Sequence, residues 1–370
     1  GRCRSCTLMG SAYGDQLADK SAYVLATLGA HVAETTWLDP VRSAESHFRN
    51  KAKLAVGGRA HNPTLGILDG AGRGVDLRRC GLYEPGLAAT FDALHDVLAD
   101  LALEPYDVPR RRGELKHVLV THSPDGEHLV RFVVRSEASV ERLRTALPRL
   151  RAALPSARVV TANVLPEHKA VLEGEREVVL TEEALLPMRV NGIVLLLGPR
   201  AFFQTNTRVA AALYRQVQAW ADAAVPRTVW DLYCGVGGFA LHLARAGRDV
   251  VGVETSTEAV EAARAAADLL DGRISTGGTR FVAGDVTEEI PSAAADFVVV
   301  NPPRRGIGPR LAGWLDHSPA THLVYSSCNA ESLARDLAAM PSWRPVEGRV
   351  VDMFPQTRHV ETLLLLRRSG

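Results

Sequence analysis

The sequence predicts an α/β protein. It should hold a C-terminal Rossmann-like domain with a doubly wound, mostly parallel sheet, and a central α+β domain with an antiparallel sheet. Three observations support this. From about residue 200 strand-like and helical runs alternate: TVWDLYC, FALHLARAG, DVVGVET, EAVEAARAAADLL, DFVVVNPP, HLVYSSC and a closing TLLLLRR. Such alternation builds parallel sheets. From about 45 to 185 short β-like runs alternate with turns instead, at KAKLAV (51–56), HVLVTH (117–122), LVRFVVR (129–135) and ARVVTANVL (157–165). One helical stretch, 140–154, carries apolar residues at three- and four-residue spacing. Third, a glycine-rich loop follows the first strand of the later part. The expected divisions are an N-terminal cysteine-containing segment with a helix (1–45), the central domain (46–190, also supplying Cys80) and a cofactor domain (191–370).

Bulk properties narrow the function. A chain of 370 residues, 46% hydrophobic, suits two or three domains with large cores. No apolar run approaches membrane length, and no charged-then-apolar leader opens the chain. With 43 basic and 42 acidic residues the net charge is +1, so any nucleic-acid surface must be a local patch. Five cysteines at uneven spacing argue against a secreted disulfide framework and for the cytoplasm.

The chemistry gathers at strand ends. Asp231 ends a buried strand, and Gly235, Gly237 and Gly238 turn the chain into a helix whose N–H groups can point at a ligand. Glu254 ends the next strand, where a carboxylate can accept ribose hydroxyls. Asp285 lies at the tip of the third, in reach of an adenine amino group. Dinucleotide enzymes carry similar loops, but the G-x-G-G spacing favours an adenosyl ligand without a pyrophosphate. The fourth strand ends in NPPRRGIG (301–308), a rigid corner. There Asn301 can hold a planar amide or base edge, and Arg304 and Arg305 can meet phosphates.

Cys328 follows the next strand. A strand-end cysteine is often inert core. Here Asn329 and a helical run follow it, so a helix N-terminus is expected to lower its pKa. Glu361, opening the last strand, can bring a carboxylate to the same crevice. A nucleophilic thiol, a carboxylate base and a nucleotide-cofactor loop together suggest group transfer through a covalent adduct.

FFQTN (202–206), DLYCGVGGF (231–239), NPPRRGIG, YSSCN (325–329) and FPQTRHVE (354–361), in this order, resemble the motif series of the RNA uracil-5-methyltransferases that use S-adenosylmethionine. GRCRSC (1–6), FRNKAK (48–53) and RGELKH (112–117) extend the resemblance over nearly the whole chain. Within the family it is most similar to the short 23S ribosomal RNA group, which lacks the N-terminal oligonucleotide-binding (TRAM) domain. Asn301 stands where many relatives have Asp, and this short group tolerates Asn. The resemblance implies an enzyme acting on RNA; a monomer with no DNA or membrane partner is the expectation. It assigns Cys328 as nucleophile toward C6 of uracil and Glu361 as the base that removes the C5 proton. Gln204, Tyr233, Gly235, Glu254, Asp285 and Asn301 would line the S-adenosylmethionine site. Transfer RNA as substrate, or a dinucleotide-dependent oxidoreductase, are the alternatives.

Cys3 and Cys6 form C-x-x-C, and Cys80 stands alone downstream. Close relatives bind a [4Fe–4S] cluster with four cysteines, one of them just before the GRCRSC segment, so these three are its expected ligands here. Zinc and free thiols are the competing readings. Cys234 reads as a small packing residue. For RNA, Arg49, Lys51 and Lys53 alternate along one stretch and share a face. Arg110, Arg111, Arg112 and Lys116 form a second basic cluster, and Phe203 or Phe202 can stack on a base. Both groups, with Arg304, are expected to contact phosphates on one basic surface leading to Cys328; a solvated charged face is the plain alternative.

Overall fold

A computed structural model describes residues 3–168, 171–271, 278–286 and 295–368. Along the chain run α1 (Tyr13–Leu28), β1 (Thr36–Val41), β2 (Lys51–Arg59), β3 (Asn62–Leu68), β4 (Gly74–Asp76), α2 (Pro85–Leu101), β5 (Leu115–His122), β6 (His128–Val134), α3 (Glu137–Ala153), β7 (Ala157–Val164) and β8 (Arg176–Val179). There follow β9 (Leu186–Val190), β10 (Ile193–Leu197), α4 (Thr207–Ala224), β11 (Thr228–Leu232), α5 (Gly238–Leu243), β12 (Asp249–Glu254), α6 (Thr257–Asp271) and β13 (Arg280–Ala283). The last elements are β14 (Phe297–Val300), α7 (Gly308–His317), β15 (His322–Ser327), α8 (Ala330–Ala338), β16 (Trp343–Val351) and β17 (Glu361–Arg368). Among the described residues no helix is long and apolar enough to cross a membrane.

The chain divides into two units. One holds Gly1–Ser5, Ser46–Met188 and Gly198–Arg200; the other holds Cys6–Glu45, Arg189–Leu197 and Ala201–Gly370. In the first, seven strands pair in the order β4-β3-β2-β5-β6-β7-β8. All pairs are antiparallel except β6 with β7, which α3 connects. Ser136 caps α3 by accepting from the Ser139 N–H at 3.4 Å. α2, a helix beyond those expected from the sequence, starts with Pro85 in its first turn and buries Leu87, Phe91, Leu94 and Leu98. These pack with Leu54, Val118, Phe132 and Leu143 in one core. Each such side chain contributes about 2 kcal/mol on burial.

In the second unit the sheet order is β1-β16-β17-β15-β14-β11-β12-β13. β11 to β15 are parallel, and β17 is inserted antiparallel between β15 and β16. This is the doubly wound sheet expected, with its last strand reversed. The order switches at β11, which has β12 on one side and β14 on the other. Ligands of open α/β sheets bind at the carboxyl ends of strands at such a point. Residues 6–45 also belong here: β1 pairs with β16 and α1 packs near α8. The expectation of 1–45 as a separate segment differs from this division. Pro40 and Asp39 hid β1 from a pattern search, and an edge strand tolerates both.

Candidate active site

Strand register assembles the reactive pair. β15 and β17 run antiparallel, and their last paired residues are Ser327 and Thr362. One step beyond, Cys328 stands opposite Glu361, the residue that opens β17. The groups sense each other. Burial first, then the charge of Glu361, raises the Cys328 thiol above its ordinary 9.0, while Arg304 pulls it down. Glu361 is only 5% exposed, and burial pushes its carboxyl from 4.5 to about 8.

The upward direction of the thiol corrects the expectation of a helix-lowered cysteine. α8 does begin just after it, with Asn329 as cap, its side chain accepting from the Glu331 N–H at 3.1 Å. Burial and the facing carboxyl outweigh Arg304 and the backbone hydrogen bond at Cys328 itself, the two influences that lower the thiol. Asn329 also ties two loops together, since its Nδ2 donates to the Arg304 carbonyl at 3.2 Å. Asp336 of α8 adds a second tie that the sequence did not flag. It accepts from the Tyr325 hydroxyl at 2.5 Å and the Ile307 N–H at 2.9 Å. The NPPRRGIG corner is thereby fixed beside Cys328.

The residues expected to hold the cofactor follow the carboxyl ends of the neighbouring strands β11, β12, β13 and β14. Tyr233 leaves β11 with φ of 67°, a costly conformation for a side-chain-bearing residue and one concentrated at functional turns. Its hydroxyl is raised to about 12, by burial and then by the Asp285 charge, with Arg305 opposing. The structure thus brings Tyr233 and Asp285 together. Gly235 and Gly237 take φ of 53° and 83°. A Cβ on Gly235 would meet nothing within 4 Å, so its backbone borders open space. Glu254 holds the loop, one oxygen accepting from the Gly235 N–H at 3.2 Å and the other from Ser256 N–H at 2.9 Å. Asn301 follows β14 and is half-buried, and Gln204 is buried two residues before the α4 cap, Asn206. Below the loop lies Asp231, fully buried and raised to about 7 by burial. Its Oδ2 accepts from the Ala240 N–H at 2.9 Å, and its Oδ1 has no partner among the described residues. An open backbone cradle ringed by carboxylates and a phenol fits a cationic adenosyl ligand. Cys234 is the packing residue expected: a Cβ on Gly252 would strike its Sγ at 2.9 Å.

Phe203 requires correction as an RNA contact. It is 4% exposed, whereas its neighbour Phe202 is 69% exposed. In the first unit Lys51 and Lys53 alternate at the start of β2, and Arg49 lies two residues before it. Lys51 is lowered to about 8, by burial first and then by Lys53 and Arg131. Arg110 and Arg111 are exposed in the turn closed by Asp107 and Arg112.

Cys3, Cys80, Cys234 and Cys328 are not in disulfides. Among the described residues no group of three His, Cys, Asp or Glu side chains is gathered to hold a metal ion. Cys3 and Cys80 both act on Tyr83, whose hydroxyl is raised to about 12 chiefly by burial.

A family model for the methyltransferase small domain matches residues 211–308. The 23S rRNA (uracil(747)-C(5))-methyltransferase RlmC of Yersinia pestis (strain Pestoides F) is 44% identical over 375 residues, covering all of this chain and 98% of its own. The enzyme of the same name from Halothiobacillus neapolitanus is 45% identical over 377 residues, covering 100% and 97%. Among solved structures, the Pyrococcus abyssi tRNA (uracil-54, C5)-methyltransferase in complex with S-adenosyl-L-homocysteine matches with a TM-score of 0.81. It is 25% identical, over 98% of this chain and 85% of its own. Fold and site together define a methyltransferase of the Rossmann-like class. The chain belongs to the family of the 23S rRNA (uracil-C5)-methyltransferases RlmC.

Proposed function

We propose that the protein methylates C5 of a uridine in 23S ribosomal RNA, with S-adenosylmethionine as donor. The observation that carries this is Cys328 facing Glu361 on the sheet edge that also bears the glycine loop. The choice of ribosomal over transfer RNA rests on identity: 44% to a relative named for 23S rRNA, against 25% to one named for tRNA.

Uracil C5 is a poor nucleophile, and the pair remedies that. Cys328 gives up its proton and its sulfur bonds to C6, moving the C5–C6 π electrons toward C5 and the C4 carbonyl oxygen. When bound, S-adenosylmethionine supplies an electrophilic methyl group at its sulfonium. Gln204, Tyr233, Gly235, Glu254, Asp285 and Asn301 would hold it. Once C5 carries the methyl group, Glu361 takes the C5 proton. That electron pair rebuilds the double bond and expels the Cys328 thiolate. Burial makes Glu361 a stronger base than an exposed carboxylate. It also leaves it largely neutral near pH 7, so it repels the forming thiolate less. The uridine must leave its stack to enter, and exposed Phe202 offers a stacking surface.

RNA carrying 5-fluorouridine tests this, because fluorine cannot leave as a proton. The parent protein should form a complex stable to denaturation. Cys328→Ala should form none while still binding S-adenosylmethionine. Glu361→Gln should accumulate adduct even on ordinary RNA; normal turnover by that variant overturns the mechanism.

For Cys3, Cys6 and Cys80 we propose three of the four ligands of a [4Fe–4S] cluster with a structural or RNA-binding role, the fourth iron needing a further ligand. Three soft thiol donors suit iron, and Cys3 and Cys80 already share Tyr83 as a neighbour. Protein purified without oxygen should contain about four iron and four sulfide per chain. Colourless protein lacking both rejects the cluster.

A further inference from the structure

We infer that Gln16, Lys20 and Gln356 form a clamp that positions Glu361, so that the N-terminal helix α1 is a working part of the active site. The inference rests on reading Glu361 as the base at C5.

Residues 352–360 connect β16 to β17 and deliver the chain to Glu361. The clamp holds this connection at both ends of its first half. The Gln356 N–H donates to Gln16 Oε1 at 3.0 Å, and Gln16 Nε2 donates to Gln356 Oε1 at 3.1 Å. Gln16 Nε2 also reaches the Ser11 carbonyl at 3.0 Å, and the Leu8 N–H donates to the Gln356 carbonyl at 3.0 Å. One turn along α1, Lys20 Nζ donates to Asp352 Oδ1 at 2.6 Å and to the Phe354 carbonyl at 3.0 Å. Gln16, Lys20 and Asp352 are all buried.

Holding a helix against a sheet does not require this. Apolar packing would do so at lower cost, since a buried ion pair must first lose its water. The polar groups instead address the connection that ends at Glu361. Gln356 has φ of 66°, a conformation in which glycine would be less strained. Gln356 stands there instead, and its side chain makes the reciprocal bond to Gln16. A base must lie within hydrogen-bond reach of the proton it takes, and an error of about 1 Å costs roughly 100-fold in rate.

The variants are Gln16→Ala, Gln356→Gly, their double combination and Lys20→Met, all in the full chain. Loss of the clamp should slow release of the methylated product by about 10- to 100-fold. Covalent RNA adduct should accumulate, as in Glu361→Gln, with RNA and S-adenosylmethionine affinities unchanged. The double variant should be no slower than the worse single one, because both residues act through one contact. A merely structural role would lower melting temperature without building up adduct, and that outcome overturns the clamp. If Glu361→Gln itself builds up no adduct, the function reading fails first; if it does while Gln16→Ala and Gln356→Gly do not, the clamp alone falls.

Discussion

At the scale of single residues, Cys328 and Glu361 were legible because each sits in a short motif at a strand end. Their electrostatics were not. The sequence suggested a thiol lowered by a helix end, whereas burial and the facing carboxyl raise it. The carboxyl carries a matching cost. Raising it from 4.5 to about 8 corresponds to about 5 kcal/mol as an upper bound, a large share of the 5–15 kcal/mol typical of a domain. The folded state binds this proton more tightly than the unfolded chain does. Its contribution is therefore fully present below pH 4.5 and is lost as pH rises through about 8. Glu361→Gln removes that loss. The variant should melt higher than the parent at pH 8.5, by a few kcal/mol in stability, with the gap closing toward pH 4.5. Over the same window parent turnover should rise, since the base works only when ionised. Melting curves and single-turnover rates between pH 5 and about 9 read both trends. Equal melting of the two proteins at pH 8.5 would mean that Glu361 is not held in a desolvated site.

At the scale of elements, local pattern exposed what is locally determined. β2, β5, β6 and β7 match apolar runs, and α3 matches its 3.6-residue spacing. What escaped depends on distant pairing. β17 reads as a plain apolar strand, and nothing local says that it reverses and inserts between β15 and β16. Yet that reversal is what sets Glu361 opposite Cys328. β1 escaped because its partner β16 is some three hundred residues away in the chain (Thr36 pairs with Glu347). The clamp was invisible for the same reason. Gln16 and Gln356 are separated by 340 positions and carry no motif that links them. The cofactor loop was legible because glycine at positive φ and close packing leave few sequence solutions. A Cβ on Gly238 would stand 2.5 Å from the Tyr214 hydroxyl.

At the scale of the whole molecule, charge constrains how RNA is held. A net charge of +1 gives no general attraction to a polyanion. Affinity must come from patches, and each patch should then matter separately. Arg49, Lys51 and Lys53 are the patch that alternation along the sequence defines in the first unit. Lys51 is distinctive because its neighbours and burial lower it to about 8. A phosphate beside it would favour the charged form and reverse that shift. Arg49→Glu and Lys51→Glu should therefore weaken binding of a 23S ribosomal RNA fragment at low salt. Each should also reduce the slope of log affinity against log salt by about one. The loss should be similar for matched and unmatched RNA sequences, because phosphate contacts position without specifying. In the parent protein affinity should decline as pH rises past about 8, and Lys51→Arg should remove that decline. Unchanged low-salt affinity in both charge reversals would make this face a solvated surface and move the RNA contacts elsewhere.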